Sequence, residues 1–161
     1  MERLSNWIEM VEKFIAMILI SAMTLIIATA VVFRYFLKEP IFWASEASIF
    51  MMAWITFIGG SLGLKYKSQA SVTFLVDRFS EEGKRKLEIV SYIIILTFMA
   101  ILLYLSYQWV FSVINQTSPT MRMPMWIPYS SVPVGLSFAF IHLLTRLINL
   151  FKNKQQEGPI T

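Results

Sequence analysis

Phe14 to Phe33 reads FIAMILISAMTLIIATAVVF, twenty residues without a charge. A bilayer's hydrocarbon core is ~30 Å thick and a helix rises ~1.5 Å per residue, so a spanning helix needs about 20 apolar residues. The stretch meets that length, and three more runs follow it. Ala47 to Leu64 is eighteen uncharged residues; Ile89 to Met121 is thirty-three, with Gln108, Asn115 and Gln116 toward its far end; Met123 to Thr145 is the fourth. Strands can cross in about 10 residues, but these runs are too long, lack strict apolar/polar alternation and are too few to close a barrel. The expected fold is therefore all-α and integral to a membrane. It is read as one domain over residues 1–161, with helices at about 12–34, 42–64, 87–115 and 130–150.

Composition agrees with that reading. Hydrophobic residues make up 57% and charged residues 15% of the chain, and its mean hydropathy is +0.62, which is not the balance of a water-soluble domain. Ala28-Thr29-Ala30 has the small-x-small form of a leader cleavage site. However, Glu2, Glu9 and Glu12 offset Arg3 and Lys13 before the apolar run, and the run continues through Phe33, so the segment is expected to stay as a helix. The chain has no cysteine, which excludes disulfides and thiolate metal sites.

Lys and Arg are unevenly shared among the connecting segments. The N-terminal tail, the second loop and the C-terminal tail hold eleven, and the first and third loops hold three. By the positive-inside rule the first group faces the cytoplasm, so both termini are expected there. Within the second loop Val72, Leu75, Val76 and Phe79 recur at i, i+3, i+4 and i+7, the pattern of a short amphipathic helix at about 70–80. Gly83 can end it before Lys84-Arg85-Lys86. Such a helix either lies on the inner leaflet or packs on the protein's own cytoplasmic ends. The third helix, at about 87–115, is longer than the core and should tilt or project. Beyond it, Pro119 and Pro124 mark an external loop. A hydroxyl of Ser130 or Ser131 is placed to cap the fourth helix, with Pro133 in its first turn and Arg146 snorkelling at its far end.

Little in the chain suggests catalysis. No glycine-rich phosphate loop ending in Gly-Lys-Ser/Thr occurs, so the chain does not itself hydrolyse ATP to drive transport. The single histidine, His142, excludes a bis-histidine haem. Inside the fourth helix it reads as a proton relay or as a neutral imidazole bonded between helices. The second is favoured, because no other intramembrane acid or base lies near it in sequence. No cofactor, metal or nucleic acid is expected.

Arg34 ends the first helix and Glu46 opens the second, where the helix dipole favours a carboxylate. They read either as two independent snorkelling charges or as a pair, with each other or with a partner, since an acid among Trp43, Phe50 and Trp54 is costly unless matched. Trp43, Glu46, Phe50, Ala53, Phe57 and Gly60 recur at steps of three and four along one face of the second helix. Gly59 and Gly63 add a small-xxx-small pair suited to close helix packing. With Arg34, this face is expected to meet protein rather than lipid.

The residues resemble the small membrane subunit (DctQ-like) of tripartite ATP-independent periplasmic (TRAP) transporters. The likeness runs from the first helix to the fourth. It is carried by Val32-Phe33-Arg34-Tyr35-Phe36, Pro40-Ile41-Phe42-Trp43-Ala44-Ser45-Glu46, Trp54-Ile55-Thr56-Phe57-Ile58-Gly59-Gly60, Val72 with the basic second loop, Ser118-Pro119, Ile127-Pro128-Tyr129 and Pro133-Val134-Gly135, in that order. One departure is Gln69, where the family often has histidine. The resemblance implies a bacterial inner-membrane protein that braces a large membrane subunit. In the family that large subunit moves sodium ions and a small organic anion, such as a C4-dicarboxylate or a sialic acid, by an elevator-like motion. A soluble periplasmic protein delivers the anion, and membrane lipid surrounds the pair. A competing reading is a self-sufficient homodimeric multidrug exporter, but that chemistry needs an acid deep in the membrane and Glu46 lies near a helix end.

Overall fold

The computed structural model describes residues 2–67 and 81–153. Helix α1 is Glu2–Val32, about 46 Å long at the usual rise. It begins well before residue 12, because hydropathy marks only the part of a helix that sits in lipid. The preceding turns are held by helix formers and by the Glu9–Lys13 pair at 2.6 Å, one turn apart. The helix leaves through a π-helical turn, Phe33–Leu37, closed by Lys38 at φ 55°. Pro40 then prevents continuation.

Helix α2 is Phe42–Lys67 and α3 is Glu81–Ser112. Gly83 lies inside α3 and does not end a helix before it. One glycine costs about 1 kcal/mol, too little to break a helix that long. The expected amphipathic segment with Val72, Leu75, Val76 and Phe79 lies outside the described residues. After α3 come a loop, a single turn α4 (Trp126–Tyr129) and α5 (Ser131–Asn153). The expected hydroxyl cap on the last helix does not form. Ser130 has helical dihedrals and donates its hydroxyl to Ile127 O at 2.7 Å, while Val134 N–H reaches Ser130 O at 3.1 Å, so α4 runs almost directly into α5. The Ser131 hydroxyl is buried without a partner.

The fold class is as expected, all-α with four helices long and apolar enough to cross a membrane. α1 packs on α2, α2 on α5, and α5 on α3. On α3, Tyr92, Leu96 and Met99 meet Ala139 and Leu143 of α5 to form the core. The α2–α5 contact is closer still. A Cβ at Gly135 would lie 2.7 Å from Phe57 Cβ and 2.8 Å from the Phe57 carbonyl carbon and oxygen, so only glycine lets the two backbones meet there. α1 differs from the others. Its buried residues are Ser5, Ile8 and Glu12, and along its most apolar window nothing is buried, leaving Phe14, Met17, Ile18 and Leu25 exposed.

Candidate subunit interface

Two polar constructions hold the bundle, one at each end. At the end where α1 begins and α2 and α5 finish, Ser5 Oγ lies 2.7 Å from His142 Nδ1, and Glu12 Oε2 lies 3.0 Å from His142 Nε2. Glu12 is fully buried, and its Oε1 has no hydrogen-bond partner. One turn nearer the terminus, Glu9 gathers Lys65 at 2.7 Å, Lys13 and the Tyr66 hydroxyl. Lys65 also donates to Ser5 O at 3.1 Å and Asn6 Oδ1 at 3.0 Å, and Asn149 donates to Glu2 at 2.8 Å. The first turns of α1 are thus tied to both neighbours around a cavity of about 430 Å³ whose lining includes Ser5, Lys65, His142 and Arg146. These ties compensate for an apolar span that packs so little.

Sequence reasoning found the histidine but not its partner. Glu12 had counted among the charges ahead of the first span, yet Ser5, Ile8 and Glu12 stand at i, i+3 and i+7, on one helical face. That spacing was the available signal.

At the other end Glu46 does not meet Arg34. Glu46 Oε2 accepts the backbone N–H groups of Thr120 and Met121, at 3.1 and 2.7 Å. Its carboxylate is matched by peptide dipoles of the loop before α4, not by a cation. Arg34 is exposed and lines a shallow pocket of about 240 Å³ with Ser45 and Ser48.

The expected stripe on α2 is only partly open. Trp43 and Gly60 are exposed, but Glu46, Phe50, Ala53 and Phe57 are half-buried, Phe57 by Gly135. The open strip is Ser45, Ile49, Met52, Thr56 and Gly59, roughly a quarter turn around the helix. A Cβ added at Gly59, Gly60 or Gly63 meets nothing within 4 Å, so the close approach these glycines permit is not used among the described residues.

A row of four spanning helices with an open, glycine-bearing face and its strong charges near the helix ends defines a multi-pass membrane protein. Over residues 23–153 it matches the family described as tripartite ATP-independent periplasmic transporters, DctQ component. The chain belongs to that family, and is a transporter permease subunit rather than an enzyme. It is 24% identical to the C4-dicarboxylate TRAP transporter small permease protein DctQ of Vibrio cholerae serotype O1, over 91% of this chain and 75% of that one. It is also 24% identical to the sialic acid TRAP transporter small permease protein SiaQ of the same organism, over 94% and 88%. A third relative is the isethionate TRAP transporter permease protein DctMQ of Oleidesulfovibrio alaskensis, 27% identical over 65% of this chain and 17% of that protein.

Proposed function

We propose that this chain braces a large, elevator-type permease subunit during sodium-coupled uptake of a small organic anion. The anion is of the C4-dicarboxylate or sialic acid class and is delivered by a soluble periplasmic binding protein. The chain sits in the bacterial inner membrane with both termini in the cytoplasm. The observation that carries the reading is the open face of α2 beside an α1 whose apolar span has no buried residue. Lipid alone would account for the exposed Ile49 and Met52. It gains nothing from glycines, whereas a partner helix gains close backbone contact. The DctMQ relative supports the partnership, because the part of it similar to this chain is 17% of a single permease polypeptide. The substrate class leans on the names of relatives that are 24% identical.

Gly59→Leu and Gly63→Leu test the partnership. Since a Cβ there meets nothing, thermal unfolding of the isolated chain should change little, while recovery of the large subunit on co-purification should fall by more than about half. Unchanged recovery with both variants would remove this face from the interface, along with the neighbouring residues Trp43, Phe50, Ala53, Phe57 and Gly60. Orientation has its own check. Reporters active only in the cytoplasm should work when fused after Lys154 or within 81–86, and be silent within 38–41 or 118–123; the reverse pattern would invert the topology.

A further inference from the structure

Three of the chain's ten methionines fall in one short stretch, Met121-Arg122-Met123-Pro124-Met125. Each of them lends a backbone group to a bond that fixes the loop between α3 and α4. Met121 N–H donates to Glu46 Oε2 at 2.7 Å, beside Thr120 N–H at 3.1 Å. Met123 N–H donates to Ser118 Oγ at 3.1 Å, and its carbonyl accepts Ser118 N–H at 2.8 Å. Met125 N–H donates to Gln116 O at 2.8 Å, and Thr117 faces Pro124 in an isolated antiparallel bridge. Arg122 is held at φ 51° among these bonds, a left-handed conformation that persists only where the surroundings impose it.

All three methionines are half-buried, and they alternate with the exposed Arg122, Pro124 and Trp126. A thioether so placed packs against the protein on one side and meets water on the other. The other described methionines are placed differently. Met17, Met23, Met51 and Met52 lie in the apolar runs of α1 and α2, and Met99 is buried in the core. Met10 is exposed at the opposite end, on a helix whose backbone groups bond within itself. A small oxidant carried in water therefore meets methionine sulfur beside a hydrogen-bonded clamp at the outer loop.

We propose that Met121, Met123 and Met125 form an oxidation site, and that their conversion to sulfoxides by a peroxide releases the loop from Glu46. The sulfur lone pair takes one peroxide oxygen, so an S–O bond forms and the O–O bond breaks. The proton on the transferred oxygen passes to the departing hydroxide, which leaves as water. Sulfur loses two electrons and the peroxide gains them. An apolar sulfur thus becomes a polar group whose oxygen needs a hydrogen-bond donor. The N–H groups of the three methionines are already given to Glu46, Ser118 and Gln116, so the oxygen is met by turning the side chain out to water, which removes the packing beneath those bonds. A sulfoxide reductase working with a dithiol restores the thioether, yielding a disulfide and water. Exposure of this loop to oxidants outside the cytoplasm rests on the orientation given under Proposed function; the chemistry of the site does not.

The test uses the full chain in nanodiscs of zwitterionic lipid, which leave both faces open to hydrogen peroxide. Every protein tested carries Met10→Leu, which removes the exposed thioether at the other end. By peptide mass spectrometry Met121, Met123 and Met125 should each gain one oxygen at least about fivefold faster than Met17, Met23, Met51 and Met52. Amide exchange at Thr120, Met121 and Met123 should then rise by about tenfold or more, and return to its starting rate after treatment with sulfoxide reductases for both sulfur epimers. Glu46→Ala opens the clamp directly and should speed oxidation of the three residues. Glu46→Gln keeps a carbonyl acceptor for the two amides and should stay near the parent. With all three methionines replaced by leucine, exchange should no longer respond to peroxide; if that variant does not fold, each single replacement should reduce the response. Oxidation of the span methionines at the same rate overturns the site. Sulfoxides that form without any change in amide exchange overturn the release from Glu46, and so does a response to peroxide that survives the leucine replacements.

Discussion

Replacing His142 with leucine should destabilise the purified chain more than any single change on its exposed faces. The Glu12 carboxyl group is fully buried, and its one hydrogen bond is to the imidazole at 3.0 Å. Removing that partner leaves an acid in apolar surroundings with both oxygens unmatched, since Oε1 already lacks a partner. Breaking a buried pair in this way costs about 3–5 kcal/mol, against a total stability on the order of 5–15 kcal/mol. Glu12→Leu should cost less, about 1–3 kcal/mol, because the imidazole keeps Ser5 at 2.7 Å. The double replacement Glu12→Leu/His142→Leu should recover most of the loss, because two apolar groups of similar size leave nothing buried and unpaired. Thermal unfolding of the four proteins in detergent gives the cycle. Strict additivity would mean that the two residues do not act as a pair.

Bilayer thickness is a fixed ruler, so the number and approximate centres of the spanning helices were legible from run lengths alone. Their ends were not. α1 extends to Glu2 on local pairs such as Glu9–Lys13, and α3 continues through Gly83, choices that hydropathy does not register. Partners were hardest where the sequence carries no mark of them. Arg34 was one of the partners left open for Glu46 because the two are close in the chain, yet the donors of Glu46 are backbone N–H groups 74 and 75 residues away, and every residue but proline has one to offer. The face of α2 was similarly half-legible. Periodicity identifies a stripe, but which stripe stays open depends on α5 settling against Phe57 at Gly135, a fact of tertiary packing. The pairing of Glu12 with His142 lay within reach, since Ser5, Ile8 and Glu12 share a helical face.

Reconstituted by itself in vesicles, this chain should show no saturable uptake of a C4-dicarboxylate or a sialic acid, with or without an inward sodium gradient. Uptake should appear only when the large subunit and the binding protein are added and the gradient is imposed. The expectation follows from where the polar groups are. Coupled transport needs a site near the bilayer midplane, where broken helices or paired polar side chains hold ion and substrate. Here Arg34, Lys38, Glu46 and Arg122 lie at one end of the spans, while Glu9, Glu12, Lys65, His142 and Arg146 gather toward the other. α2 stays helical from Phe42 to Lys67 through Gly59, Gly60 and Gly63, so these glycines do not open an unwound segment whose carbonyls could hold a sodium ion. His142 is bonded to Glu12 on one ring nitrogen and to Ser5 on the other, and both His142 and Glu12 are buried. Among the described residues no charged side chain is left near mid-span to seat an organic anion. Sodium-dependent, saturable uptake by the purified small chain alone would refute the bracing role and bring back the self-sufficient exporter. Uptake by the large subunit and binding protein at the same rate without this chain would refute it equally, by leaving the brace with nothing to do.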